Sequence, residues 1–494
     1  MQYLPSYLTI ALLLLMKELP LKMLLRFLLL NFFCLPIAFA SNNLPDLGAP
    51  DLKDYDSHTE TQLGQAFSTA LHTHYDLVYD PIILSYIRRI GERITSETGK
   101  NRNFSFFIID NPEINAFAGP NGVIGIHTGL IASAQSEDEL ASVIAHEVAH
   151  VTQRHLSRTF EYQSNVNTAS IASLIAAILI GSQDPSAGIA TYMGAMGLNI
   201  QQQLKNSRIY ESEADYFGIK YLNQAGYSPY AMGEFFGRLS KEMQIYEGTP
   251  PEILLTHPVT ANRLAKANDR AAQLKTESAP LKDNSLTLIQ LRLNFVTKTH
   301  TQTYDTKTLS PSETCYLKNL KTLSDQGLSH PQYNIKCLEE ASQQQPKERL
   351  YKLLLAKIKT ETGDSSALQD YEYLTAVYPS DFSIVYLQAQ SLNKFNRTQE
   401  AIQLLTQKTP KFHYQYLLYS ELSKLYAEKN QNDYSYYYDA LANYNIGNLP
   451  KSTFLVNQAE KITKDKKSKL YQKIVQLKNE LEKISQKQQR NQPS

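Results

Sequence analysis

The chain reads as two architectures in series: an α+β domain, then an all-α solenoid of paired helices. Three observations predict this. Leu140, Val143, Ile144, Val148 and Val151 recur at helical spacing, marking one long helix with a buried face. Short β-prone runs around an Asn121-Gly122 turn lie just before it. Far beyond it, small residues and helix breaks recur with a period of about 34 residues. A chain of 494 residues is too long for one core, which agrees with a division into domains. Lys and Arg total 49 against 48 Asp and Glu, a net charge of +1, so a polyanion is not the expected partner. No nucleic-acid motif is present.

In chain order, residues 1–40 read as a signal peptide. Leu24-Leu25-Arg26 is a basic start, Phe27–Leu30 an apolar segment, and Ala38-Phe39-Ala40 an A-x-A cleavage site. Cleavage near Ala40 would leave Ser41 as the mature start, and Met23 is a candidate start codon. The other reading, an uncleaved anchor, is opposed by Asn31 and Pro36 inside the apolar stretch. Residues 41–99 read as helical, with Leu63, Phe67 and Leu71 on one face and Ile83, Tyr86, Ile87, Ile90 and Ile94 on another. Phe104–Ile109 reads as a strand, and two more flank Asn121-Gly122. Gly122–His127 is the candidate edge strand to which a peptide adds, with His127 structural.

Ser136-Glu137-Asp138-Glu139 has the capping-box pattern and starts the long helix, which is expected to last to about His155. It carries His146-Glu147-Val148-Ala149-His150. Histidines four apart share a helix face and can reach one zinc ion, and Glu147 beside them is placed to act as general base toward a water. Zinc in a peptidase needs a third protein ligand. Glu211 and Asp215 share a face on a later helix that Gly226 and Pro229 terminate. One carboxylate can bind the metal while the other orients a ligating histidine. Glu213 points away from that face. Between the two helices, the apolar runs Ile171–Gly181 and Ala187–Ile200 are too short to span a bilayer, which needs about twenty apolar residues. They are core helices, a lid over the cleft, or a hairpin for peripheral membrane or partner contact.

Polar, threonine-rich composition places a linker at 277–310 between the first domain, 41–276, and the repeats, 311–490. In the repeats, Ala356, Gly363 and Pro379 are echoed by Ala389, Asn396 and Pro410, and further breaks fall at Asn430 and Gly447-Asn448. The pattern is tetratricopeptide-like, without tryptophan; an ordinary helical bundle is the plainer alternative. Cys315 and Cys337 form either a disulfide, as an exported pair would, or two buried thiols.

H-E-x-x-H followed by E-x-x-x-D resembles the zinc peptidases of the CAAX prenyl protease and HtpX type, a gluzincin family. Ile114–Ala118 with Pro120-Asn121-Gly122, His150–His155, Ala225–Pro229 and Thr256-His257-Pro258 with Arg263 extend the likeness. With its leader, Leu44–Gly48 and helical C-terminal half, the chain is most similar to exported members of that type that carry tetratricopeptide repeats. The resemblance implies one Zn2+ per chain on His146, His150 and Glu211, with Glu147 as base and Asp215 orienting a histidine. It also implies a histidine near the zinc at His257, either a removable plug on the open zinc position, an oxyanion donor, or a structural residue. It further implies a periplasmic location, misassembled outer-membrane proteins as clients, and outer-membrane assembly machinery as a partner of the repeats. The rival reading is a chaperone or assembly scaffold in which proteolysis is secondary.

Overall fold

The computed structural model describes residues 57–100, 102–161, 200–245, 251–274, 285–299, 307–325, 332–412 and 415–490. The expected leader and the two apolar runs after Ile171 lie outside these residues, apart from Ile200. Helices α1, Ser57–His74, and α2, Pro81–Thr95, open the fold. Asp80 caps α2 by accepting from the amides of Ile82 and Ile83 at 3.1 and 3.0 Å, and Pro81 occupies the first turn, where no amide is needed. The stripe Ile83, Tyr86, Ile87, Ile90 and Ile94 is wholly buried, as its spacing predicts.

Strands β1, Ser105–Ile109, β2, Ala116–Ala118, and β3, Val123–His127, form one sheet in the order β1-β3-β2. Asn121 and Gly122 both take positive φ, 55° and 73°, and turn β2 back into β3. A Cβ on Gly122 would lie 2.0 Å from the Asn103 carbonyl oxygen, so only glycine fits. β3 pairs in parallel with β1 and antiparallel with β2, which makes it the central strand. This corrects the expectation of an edge at Gly122–His127. All five β3 residues are buried, the pattern of a strand covered on both faces, and among the described residues the unpaired edge near the long helix belongs to β2.

Helices α3, Thr128–Ser133, and α4, Glu137–Thr152, follow. Ser136 Oγ accepts from the Glu139 amide at 3.1 Å, the expected half of the box. The Glu139 carboxylate accepts from the Gln135 amide at 2.8 Å, one residue before the cap. Helix α4 ends at Thr152, earlier than its periodicity suggests, because Arg154 takes a left-handed φ of 56° and α5, His155–Glu161, restarts in a new direction. Helix α6, Ile200–Gln224, stops before Gly226 at φ 78°, as expected. Helices α7, Ala231–Ile245, α8, Glu252–Thr256, and α9, Ala261–Gln273, complete the first part.

The stretch read as a linker holds a helix, α10, Ser285–Val296, with Leu288, Ile289 and Leu291 fully buried. Arg292 forks onto Asp80 at 2.8 and 2.6 Å, and Gln290 donates to the Ile131 and Ala134 carbonyls around the end of α3. Polar composition concealed this helix because its apolar residues are confined to a short run between threonine-rich segments.

The remainder is all helical: α11, Pro311–Ser324, α12, Ile335–Gln344, α13, Arg349–Thr362, α14, Ala367–Val377, and α15, Phe382–Lys394. Then come α16, Thr398–Lys408, α17, Tyr416–Glu428, α18, Asn432–Asn445, α19, Leu449–Ile462, and α20, Lys469–Arg490. Each break foreseen in the sequence, Gly363, Asn396, Asn430 and Gly447, takes positive φ and turns one helix into the next. An apolar core runs without interruption from Val78 to Leu387, joining the mixed α+β part to the first helical pairs. A second core serves the later helices. The joint is polar as well: Asp381 accepts from Ser85 at 2.5 Å and from Arg349 at 2.8 Å, and the Arg88 guanidinium lies over the Phe382 ring. Among the described residues, no helix is long and apolar enough to cross a membrane.

Cys315 and Cys337 are joined, linking α11 to α12 with Cα atoms 6.1 Å apart. Replacing both by serine should lower the unfolding free energy by about 3 kcal/mol, the loop-closure value for such a separation. Denaturant titration measures this. Labelling the denatured, unreduced protein should leave both cysteines unmodified, and modification of either would contradict the bridge.

Candidate metal centre

The site arises where α4 and α6 cross. Gly218 on α6 lies so close that a Cβ would sit 3.2 Å from the Ala145 carbonyl oxygen, and Ala145 and Ala214 are both fully buried. Small residues at the crossing bring the His146–His150 face of α4 against the Glu211–Asp215 face of α6. His146 Nε2 lies 3.3 Å from Glu211 Oε2, His150 Nε2 lies 3.4 Å from Glu211 Oε1, and the two Nε2 atoms are 3.1 Å apart. His257, capping the C-terminus of α8, adds Nδ1 at 3.1 Å from both Glu211 oxygens and 3.3 Å from His146 Nε2. Donor atoms from His146, His150, Glu211 and His257 all lie within 4.8 Å of one another.

Asp215 Oδ1 lies 3.1 Å from His146 Nδ1, off the ideal hydrogen-bond line yet close enough to set the ring's tautomer and leave Nε2 facing the cluster. Arg263 forks onto both Asp215 oxygens at 2.8 Å and reaches Glu211 at 3.0 Å. Residue spacing pointed to no role for Arg263, because it comes from α9 and meets the carboxylates only in the folded chain. Glu147, 1% exposed, holds its Oε1 3.5 Å from His257 Nε2 with no hydrogen bond to it among the described residues, while the Ala118 backbone on β2 bonds its carboxylate.

Burial pushes the Glu147 carboxyl above its ordinary range; the cationic pull of His257 and His146 opposes this, and Glu211 adds to it. Burial would also raise Glu211, but His257 and hydrogen bonds from His146 and His257 outweigh it and hold its carboxyl well below that range. Burial lowers His146, yet Asp215 and Glu211 together pull it up to about 10. His150, with no carboxylate so close to its Nδ1, is lowered well below its ordinary value by burial. Two imidazoles and one carboxylate converging in a setting that draws positive charge fit a catalytic zinc site, with His257 as a fourth donor. His127 stays apart from this group: it is wholly buried at the end of β3, and burial lowers it to about 4. The structural reading of His127 fits that position.

The profile of Peptidase family M48 matches residues 84–271, so this stretch is similar to the M48 peptidase domain. M48 metallopeptidases use zinc, which agrees with the donor set. The chain is 41% identical over 244 residues to the putative beta-barrel assembly-enhancing protease of Vibrio cholerae, covering 49% of this chain and 50% of that one. It is 36% identical over 239 residues to the beta-barrel assembly-enhancing protease of Escherichia coli K12, covering 48% and 49%. Metalloprotease LoiP of the same organism is 28% identical over 196 residues, covering 38% and 72%. The chain thus spans about half the length of the first of these relatives.

Glu252, at the start of the helix that carries His257, is buried 4.0 Å from His127 Nδ1. Burial, then Glu113, raises its carboxyl from 4.5 to about 7, against a hydrogen bond from Asn115. An acid raised on folding binds its proton more tightly in the folded state. Its contribution to stability is therefore complete below 4.5 and is lost as pH rises through about 7. Melting curves across that interval should show the native protein losing stability relative to Glu252→Gln; parallel curves would refute this account.

Proposed function

We propose that this chain is an exported zinc-dependent endopeptidase for protein quality control, with one zinc ion held by His146, His150 and Glu211. The observation that carries the reading is the convergence of these donors beside Glu147, whose Oε1 is buried and accepts no hydrogen bond among the described residues, leaving it available to take a proton. Zinc at these donors would polarise a peptide carbonyl as a Lewis acid and acidify a water. Glu147 accepts the proton of that water and returns it to the leaving amine. Asp215, neutralised by Arg263, keeps His146 in the ligating tautomer.

Substrate adds as a strand to β2. Asn115, Phe117 and Gly119 turn their backbone groups toward β3, so Ala116 and Ala118 direct their carbonyls to the free edge. The Ala118 contact with Glu147 sets that edge directly beside the base. Its clients are misassembled outer-membrane proteins, a reading in keeping with relatives whose names speak of beta-barrel assembly, and the signal-peptide pattern of residues 1–40 supports the periplasm. The tetratricopeptide-like helices then engage clients or the outer-membrane assembly machinery. A scaffold in which cleavage is secondary is favoured by one feature, the core that the helical array shares with the peptidase part.

His146→Ala, His150→Ala and Glu211→Ala should each lose zinc, read by metal analysis, whereas Glu147→Gln should keep it and lose peptidase activity. Full zinc in Glu211→Ala would remove that ligand from the scheme. Cells relying on Glu147→Gln distinguish the two readings, since a scaffold keeps its main phenotype without catalysis.

His257 sits within reach of both Glu211 and Glu147, and as a further donor it would act as a removable plug, keeping water and substrate out until the loop moves aside. His257→Ala should raise basal cleavage, self-cleavage included, with zinc content unchanged. Reduced turnover at normal zinc would assign His257 to the oxyanion instead, and no change would make it structural.

A further inference from the structure

His146 is oriented by a carboxylate, but the second histidine of the motif has a different partner. His155 Nδ1 lies 3.0 Å from His150 Nδ1, and His155 Nε2 lies 3.0 Å from Glu213 Oε2. We propose that His155 is a positioning residue for the metal centre, relaying orientation from Glu213 to His150. The inference rests on the zinc reading above.

Proton placement along this line is self-consistent. A neutral imidazole has one donor and one acceptor nitrogen. With His150 Nε2 turned to the ligand cluster, His150 Nδ1 carries the hydrogen and donates it to His155 Nδ1. His155 Nε2 then carries its own hydrogen and donates to the Glu213 carboxylate. Arg158 closes the line, at 2.6 Å from Glu213 Oε2. The result parallels the other limb, in which Asp215 faces His146 and is neutralised by Arg263. Each ligating histidine is thus backed by a carboxylate that an arginine holds, one directly and one through a second imidazole.

The local backbone is arranged to make this contact. Arg154 adopts φ 56°, an unfavourable conformation for a residue with a Cβ, and this break between α4 and α5 turns His155 back against His150. The His155 ring, 4% exposed, stacks on Tyr210 at 4.7 Å between centroids and 16° between planes. Arg158 lies over the same tyrosine at 4.7 Å. Tyr210 and Glu213 precede and follow Glu211 on α6, so the helix that supplies the carboxylate ligand also supplies both supports of His155. Glu213, off the Glu211–Asp215 face, acquires a role only because α5 crosses to meet it.

The test uses the full chain and two readouts, zinc affinity by competition with a chelator and the melting temperature of the metal-free protein. His155→Phe keeps the ring on Tyr210 and removes both nitrogens. It should weaken zinc binding about 10- to 100-fold, the usual effect of losing a partner of a ligating histidine, with little change in metal-free melting. His155→Asn, whose Oδ1 can accept from His150 Nδ1, should recover most of that loss. Should His155→Phe fail to fold, the partly exposed Glu213 carries the same test: Glu213→Ala should weaken zinc several-fold and Glu213→Gln should restore it. Unchanged zinc affinity in His155→Phe or in Glu213→Ala overturns the relay, as does a His155→Asn variant no better than His155→Phe. His150→Ala separates the two readings: undiminished zinc binding there removes the metal site and the relay together, whereas loss in His150→Ala with none in His155→Phe removes the relay alone.

Discussion

Arg263 sits between two buried carboxylates, forked onto Asp215 and reaching Glu211, and the centre depends on that pairing. Glu147, Glu211 and Asp215 are all buried within a few ångströms of three imidazoles. Moving such charges out of water is costly unless each finds a partner, and breaking a buried pair leaves an uncompensated charge. Arg263 offsets the mutual repulsion of Asp215 and Glu211 and holds Asp215 ionised, able to face His146. The close crossing at Gly218 and Ala145 then becomes tolerable, because opposite charges rather than like ones are pressed together.

Everything around the crossing restrains it. Helix α4 is buried along nearly its whole length, against β2 on one side and α2, α6 and α7 on others. Its N-terminal turn is tied down by carboxylates with two duties each: Glu139 accepts from the Gln135 amide and from Arg238, and Glu137 meets Arg89 and the Tyr227 hydroxyl. A helix fixed at its start and packed on all faces leaves its histidines little freedom beyond their own rotamers. That rigidity suits ligands whose geometry has to be set before the metal arrives.

The helical array is continuous with this scaffold. Asp80 serves at once as the cap of α2 and the partner of Arg292, so the α+β part and the first later helix share one carboxylate. Helix α1 adds a second tie. Phe67 packs edge-on against Phe117 of β2 at 6.0 Å, and two residues on, Thr69 fills the space where a Cβ of Gly447 would fall. The strand edge beside Glu147 and the turn between α18 and α19 therefore lean on the same helix. Contacts of this kind, spread over hundreds of residues of sequence, make the array part of the fold that positions the edge.

Local chemistry was legible in the sequence. The H-E-x-x-H face, the Ser136 cap, the Asn121-Gly122 turn, the Gly226 stop and the left-handed breaks at Gly363, Asn396, Asn430 and Gly447 follow from residues interacting with near neighbours, and all appear where the pattern places them. The carboxylates Glu211 and Asp215 were recognisable as a pair because four-residue spacing puts them on one helix face. What the chain alone left open was set by contacts between distant segments. Strand order made β3 central and left β2 as the edge, because pairing partners are chosen by the whole sheet. Periodicity carried α4 on to His155, whereas the fold breaks it at Arg154, since the contact of His155 with His150 and Glu213 exists only once α5 and α6 are packed. Arg263 and His257 come from beyond a third and fourth helix, and no spacing in the sequence encodes that approach. Short-range hydrogen bonding and helix periodicity act over a few residues and can be read from them; charge pairing, strand order and the turn of one helix against another are properties of the assembled chain.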